Sequence, residues 1–220
     1  MKKTVILLFG GRSSEYEVSL SSAFGALENI DTEKYNVVKV GITRDGKFYL
    51  YEGENSLIPE NKWLAEGKCT PLSLDLEKGC FTAEDREIRP DAVLPMIHGK
   101  NCEDGTLQGM LTLMKIPVAG CGCTSSAVCM DKAFAKAIIN SETGIIQAKA
   151  VVIRAEDYTP DTAVSFRERC ERQLGYPVFV KPANAGSSVG VTKVKTAEDF
   201  DKAVKTALHE DEKVLVEKFI

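Results

Sequence analysis

The run Val5-Ile6-Leu7-Leu8-Phe9, closed by Gly10-Gly11, constrains the fold more than any other stretch of the chain. Five consecutive apolar residues ended by glycines read as a strand buried on both faces. Such strands belong to parallel sheets that carry helices on each side. Behind the run, Leu20, Ala23, Phe24, Leu27 and Ile30 recur at helical spacing, and residues 35–42 are rich in β-formers. The opening is therefore a βαβ unit. Residues 91–97 repeat the buried-strand pattern. Leu107, Met110, Leu111 and Met114 then space a helix, and residues 117–120 predict a further short strand. Alternating strands and helices predict an α/β domain with a mainly parallel sheet. In open sheets of this kind ligands bind beyond the carboxyl ends of the strands, which directs attention to the loops after Phe9 and Ile97. Residues 45–89 are mixed, with a short strand at 47–51 and a helical turn at 61–66 around Trp63. They read as an elaboration of this first domain.

The small residues at 121–126 mark a boundary, giving domains 1–123 and 124–220. The second part predicts a helix over 125–141 and a strand over 149–153. Thr159-Pro160 opens a helix striped by Ala163, Phe166, Cys170 and Leu174. A strand at 178–181, a small-residue loop at 182–188 and a strand at 189–194 follow. Thr196–Asp199 has the spacing of a capping box before a helix carrying Phe200, Ala203, Val204, Ala207 and Leu208. A last strand runs over 214–220.

Charge and cysteine usage narrow the function classes. Lys and Arg total 28 against 32 Asp and Glu, a net charge of −4, which argues against nucleic acid as a partner. No apolar run approaches the roughly 18 residues of a membrane span. The opening MKKTVILLFGG is too short in its apolar part for a signal peptide. Seven cysteines, an odd number with no CxxC spacing, predict reduced thiols and a cytoplasmic protein. With only His98 and His209 as histidines, a structural zinc site has few ligands.

Three stretches carry candidate chemistry. Gly10-Gly11-Arg12-Ser13-Ser14-Glu15 sits at a strand-to-helix turn but is neither GxGxxG nor a Walker A loop. It reads as a tight turn capped by Ser13 or Ser14, or as a site where Glu15 holds a substrate cation. His98–Gly105 follows the second buried strand; a structural hydrogen bond is the plain role for His98. Lys181 ends an otherwise apolar strand and needs an anion. The loop after it, with Gly186, Ser187, Ser188 and Gly190, has the composition of one whose amides cradle phosphate. Taken singly, Lys132, Glu217 and Lys218 read as solvated charges.

Together GGRSSEYEVSLSSA (10–23), HGKNCEDGTLQG (98–109), SSAVCMDK (125–132), FVKPANAGSSVGVTKV (179–194) and VLVEKFI (214–220) resemble the D-alanine–D-alanine ligases of the ATP-grasp superfamily, in the family's order and over essentially the whole chain. The long insert at 45–90 resembles the longer members, which include vancomycin-resistance ligases making D-Ala–D-Ser or D-Ala–D-lactate. The resemblance implies a Rossmann-like (pre-ATP-grasp) parallel-sheet domain followed by the first α+β subdomain of an ATP-grasp fold. It implies ATP-dependent ligation through an acyl phosphate, for peptidoglycan precursors. Lys132 and Lys181 would bind ATP phosphates, and the loop 184–190, with Ser187 and Ser188, would close over them. Glu217, Lys218, Phe219 and Ile220 would form the adenine hinge. Glu15 would bind the ammonium of the first D-alanine in a network with Ser187, and His98 would lie near that subsite. Cys102 and Ala185 depart from the family pattern, which has Gly and often Glu there. Family members continue past the hinge, so the resemblance also implies a truncated chain, inactive alone, with the magnesium ligands, the catalytic arginine and the second-substrate loop outside it. A homodimer through the N-terminal domain is a further expectation. Two other readings stay open: another ATP-grasp carboxylate–amine ligase, and a non-catalytic module that binds nucleotide or D-amino acid.

Overall fold

A computed structural model describes residues 2–220 and divides the chain into two compact units, Met1–Ala127 and Val128–Ile220. The first is built on a five-stranded sheet of β1 (Lys3–Gly10), β2 (Tyr35–Ile42), β3 (Phe48–Tyr51), β4 (Cys69–Pro71) and β8 (Ala92–Pro95), in the order β4-β3-β2-β1-β8. β1 lies parallel to both β2 and β8, whereas β3 and β4 add antiparallel at one edge. The apolar run sits at the centre, as two-sided burial requires. Ile6 and Leu8 face one core with Val40, Val93, Leu107 and Leu111. Leu7 and Phe9 face another with Tyr16, Leu20, Ala23 and Trp63. Helix α1 (Tyr16–Asn29) thus covers one face and α2 (Thr106–Leu113) the other. Each fully buried side chain of β1 contributes about 1.5–3 kcal/mol.

The mixed stretch resolves into β3, β4 and a separate antiparallel sheet of β5 (Ser73–Asp75), β6 (Cys80–Ala83) and β7 (Arg86–Ile88), which adds Phe81 and Ile88 to the α2-side core. Trp63 sits in a run of turns in which the Glu66 amide donates to Lys62 O at 2.9 Å, fully buried, with its Nε1–H donated to Tyr16 Oη at 3.0 Å. The strand expected at 117–120 is reduced to a single bridge between Val118 and Val93.

The helix expected over 125–141 is two helices, α3 (Cys123–Met130) and α4 (Lys132–Glu142). Asp131 breaks the run: its backbone is extended and its side chain accepts the amides of Ala133 and Phe134 at 2.9 and 3.1 Å. An aspartate that caps the second helix competes with continuation of the first. The second unit then forms a four-stranded antiparallel sheet, β11-β10-β12-β9, from β9 (Ala150–Arg154), β10 (Val178–Pro182), β11 (Thr192–Val194) and β12 (Lys213–Lys218). Val178, Val180, Val214 and Val216 point into a core with Cys170 and Leu174 of α5 (Ala163–Leu174) and Phe200, Val204 and Ala207 of α6 (Phe200–Glu210). α5 starts at Ala163, three residues after Pro160, because Thr159 and Thr162 close a turn first. No capping box forms at Thr196: a 3-10 turn at Ala197–Asp199 leads into α6 and neither cap residue accepts a side-chain bond.

Candidate functional site

In the first unit the two expected loops lie at the carboxyl ends of β1 and β8, which pair side by side. They are stitched together by polar contacts. Ser13 Oγ donates to His98 O at 2.8 Å and accepts the Glu15 amide at 3.1 Å. Asn101 Nδ2 donates to Arg12 O at 2.9 Å. Ser13 ties this turn, but neither serine caps α1: Glu15 occupies the cap position, and no side chain caps the helix. Glu15 is buried, and its carboxylate lies against Gly99, whose φ of +73° and lack of a Cβ permit the approach. The imidazole of His98 meets Ser22 Oγ through Nε2 at 2.8 Å, and its Nδ1 lies 3.6 Å from Glu103 Oε1. Glu103 Oε2 accepts the Gly99 amide at 2.8 Å. Glu15 and His98 are therefore brought together by backbone that pins both loops. Cys102, in place of the expected glycine, is buried beneath the loop. Burial, with Glu103 and Asp104 nearby, pushes its thiol up to about 12, so it stays protonated and packs as an apolar group.

In the second unit one face of the antiparallel sheet is core and the other carries charge. The register places Lys193, Phe179, Glu217 and Ala150 in one cross-strand row and Lys181, Leu215 and Val152 in the next. Glu217 Oε2 accepts from Lys181 and Oε1 accepts from Lys136 at 2.6 Å. Burial pushes the Glu217 carboxyl up, but the hydrogen bonds from Lys136 and Lys181 outweigh it, and the pKa falls below the ordinary glutamate value. Phe179 and Phe219 stack obliquely at 5.7 Å, and Lys193 Nζ lies 3.5 Å from the Phe219 ring centroid. A cleft of about 300 Å³ opens beside this row between α4 and β9, lined by Lys136, Asn140, Gln147, Lys149, Val152 and Leu215. A larger depression, about 770 Å³, lies on the surface of α6 among Glu198, Asp201, Lys205 and His209, and holds none of the expected site residues.

The loop after β10 is held at its base. Lys132 Nζ donates to Ala185 O at 2.6 Å and Ala183 O at 3.3 Å, and Asn184 donates twice to Asp211. Ser187 and Ser188 both take left-handed backbone, at φ of +47° and +59°. Two such serines in succession cost about 1–3 kcal/mol each, and strain of this kind collects at ligand clamps. Beneath the loop Asp131 pairs with Lys213; burial raises its carboxyl, and the bonds from Lys213, Phe134 and Ala133 bring it below the ordinary aspartate value. Of the expected hinge, Lys218 and Phe219 have their amides engaged already, by Lys149 O and Pro177 O at 2.9 and 3.2 Å. Phe219 and Ile220 are exposed. Lys136 was missed by sequence reasoning, although its spacing of four from Lys132 puts both ammoniums on one helix face.

The family model described as "D-ala D-ala ligase N-terminus" matches residues 4–121, and that described as "D-ala D-ala ligase C-terminus" matches residues 139–220. The chain belongs to the D-alanine–D-alanine ligase family. It is 44% identical over its whole length to the D-alanine--D-alanine ligase of Caldicellulosiruptor bescii, of which it covers 60%. The Clostridium novyi enzyme of the same name is 42% identical over 99% of this chain and 61% of its own. Among solved structures, the VanG D-Ala:D-Ser ligase of Enterococcus faecalis superposes with a TM-score of 0.88 at 40% identity, covering all of this chain and 63% of the other. The D-alanine-D-alanine ligase of Coxiella burnetii gives 0.86 at 31%, covering all of this chain and 64% of its own. The chain thus spans about 60% of the length of the curated relatives it matches. The stretch 45–90 consists of two edge strands plus the small β5-β6-β7 sheet.

Proposed function

We propose that this chain supplies the first-substrate and nucleotide-binding portions of a cytoplasmic, ATP-dependent ligase for peptidoglycan precursors. The ligase joins D-alanine to a second D-alanine, D-serine or D-lactate through an acyl phosphate. Residues 1–123 form the D-alanine-binding domain, in which Glu15 meets the substrate ammonium and His98 the same subsite. Residues 124–220 form the nucleotide-binding part. The observation that carries the reading is the charged sheet face of the second unit, where Lys181 shares the carboxylate of Glu217 with Lys136 and Lys193 lies in the same cross-strand row. The strand ammoniums Lys181 and Lys193 suit a triphosphate, because they screen its charge against an approaching carboxylate. Lys132 and the strained serines Ser187 and Ser188 set the loop that closes over the phosphates. Phe179 and Phe219 offer an aromatic wall, and with two hinge amides engaged, the purine edge falls to Ile220 N–H and the hinge carbonyls. The described residues hold no group of three or more His, Cys, Asp or Glu arranged as metal ligands. No described helix is long and apolar enough to cross a membrane. A homodimer through the N-terminal domain completes the proposal.

Calorimetry on the 220-residue chain tests it. Saturable heats are expected for ATP and for D-alanine, with L-alanine silent. An absence of binding to both ligands would refute the assignment of this chain's own sites.

A further inference from the structure

Lys136 lies outside the family roles expected from the sequence, and its surroundings give it a particular one. The carboxylate of Glu217 serves two ammoniums, one oxygen to each: Lys136 on Oε1 at 2.6 Å and Lys181 on Oε2. The side chains of Lys136, Lys181 and Glu217 are only 18%, 24% and 15% exposed. A carboxylate so shielded is costly to leave unpaired. Two cations on one anion leave a surplus positive charge, which favours a further anion at the open side. Lys136 is also anchored from behind, since its carbonyl accepts Gln147 Nε2 at 3.1 Å and the same amide reaches Asn140 Oδ1 at 2.7 Å.

We propose that Lys136 is a positioning residue that keeps Glu217 paired, so that the Lys181 ammonium is released to a phosphate of the nucleotide. The inference rests on the reading of Lys181 as a phosphate ligand. With Lys136 present, Lys181 can turn outward while Glu217 remains satisfied. Without it, every phosphate contact made by Lys181 strands a shielded carboxylate. Lys136 acts through Glu217 and touches no reacting atom. A plain brace between α4 and the sheet would instead alter stability and affect all ligands alike.

The test is calorimetry on the 220-residue chain with ATP and with adenosine, for the wild type, Lys136→Met, Glu217→Gln and the double variant. Lys136→Met should weaken ATP about tenfold, the scale of one charge-assisted bond, and adenosine less than about twofold. In the Glu217→Gln background the same change should do almost nothing, and Lys136→Arg should keep most of the ATP affinity. Unchanged ATP affinity, equal losses for ATP and adenosine, or an undiminished loss beside Glu217→Gln would each overturn the proposal. Thermal unfolding checks that each variant folds, and Lys136→Gln replaces the methionine variant where it does not. A second readout needs no nucleotide. Acetylation of Lys181 by acetic anhydride, followed by peptide mass spectrometry, should slow severalfold in Lys136→Met and recover in the double variant. That pattern beside a wild type that binds no ATP would remove the proposed function and leave the pairing of these three residues standing. Unchanged Lys181 reactivity would overturn the pairing role itself.

Discussion

The two candidate sites, one in each unit, are held by different forces. In the first unit Glu15 and His98 are positioned by backbone: a carbonyl of each loop accepts from a side chain of the other, amides are held within each loop, and glycine makes room for the carboxylate. In the second unit ionised side chains do the positioning, with Glu217 between two lysines and Asp131 beneath Lys213. A site that must recognise a small zwitterion gains from fixed geometry. One that must receive a polyanion gains from cations whose partners can be exchanged. The contrast predicts opposite sensitivities, and the sole tryptophan, Trp63, buried in the first unit, reports on that unit alone.

The largest effect is expected from Asp131→Ala. It strips a capping side chain from α4 and leaves Lys213, 14% exposed, without its carboxylate, so urea unfolding followed by circular dichroism should lose about 3–5 kcal/mol. Trp63 fluorescence should keep its wild-type midpoint. Next comes Gly99→Ala, which places a methyl group against the Glu15 carboxylate at a backbone angle that disfavours side chains. It should cost the first unit about 2 kcal/mol, seen by Trp63. Gly175→Ala, at φ +68° and ψ 168°, a region essentially confined to glycine, should cost about 2 kcal/mol in the second unit although open space surrounds it, and leave the Trp63 midpoint unmoved.

The same contrast explains what was legible in the sequence. Strands and helices specified by apolar patterning were readable: residues 35–42 were expected as a strand and are β2, and the run at 5–9 lies wholly within β1. Features decided by competition between polar groups were not. Asp131 lies inside a pattern that reads as one continuous helix, and only its capture of two amides and of Lys213 shows why the helix breaks. Thr196–Asp199 has the spacing of a capping box, but the 3-10 turn before α6 takes its place. The short strand expected at 47–51 forms as β3, but β4 and the small sheet within 45–89 are three or four residues each, too short for periodicity to declare them. Lys136 was passed over because only the packing of α4 on the sheet sets Glu217 against it.

Smaller effects sharpen the comparison. Ser22→Ala removes one neutral bond to His98 and should cost about 1 kcal/mol in the Trp63 midpoint, with a change in the imidazole nitrogen chemical shifts. Mild acid should act the other way round. Glu217 and Asp131 both sit below their ordinary values of 4.5 and 3.8, so their contribution is complete above those values and is lost as pH falls through the depressed folded ones. The circular-dichroism midpoint of the second unit should therefore decline on acidification in that range, and less so in the Glu217→Gln variant.

The claim that each unit carries its own half-site is tested most directly by crossing two substitutions in one calorimetric experiment. Glu15→Gln should abolish the D-alanine heat and leave ATP affinity within about twofold, while Lys181→Met should weaken ATP by about tenfold or more and leave D-alanine unchanged. Loss of both ligands in either variant, or of neither, would contradict the account.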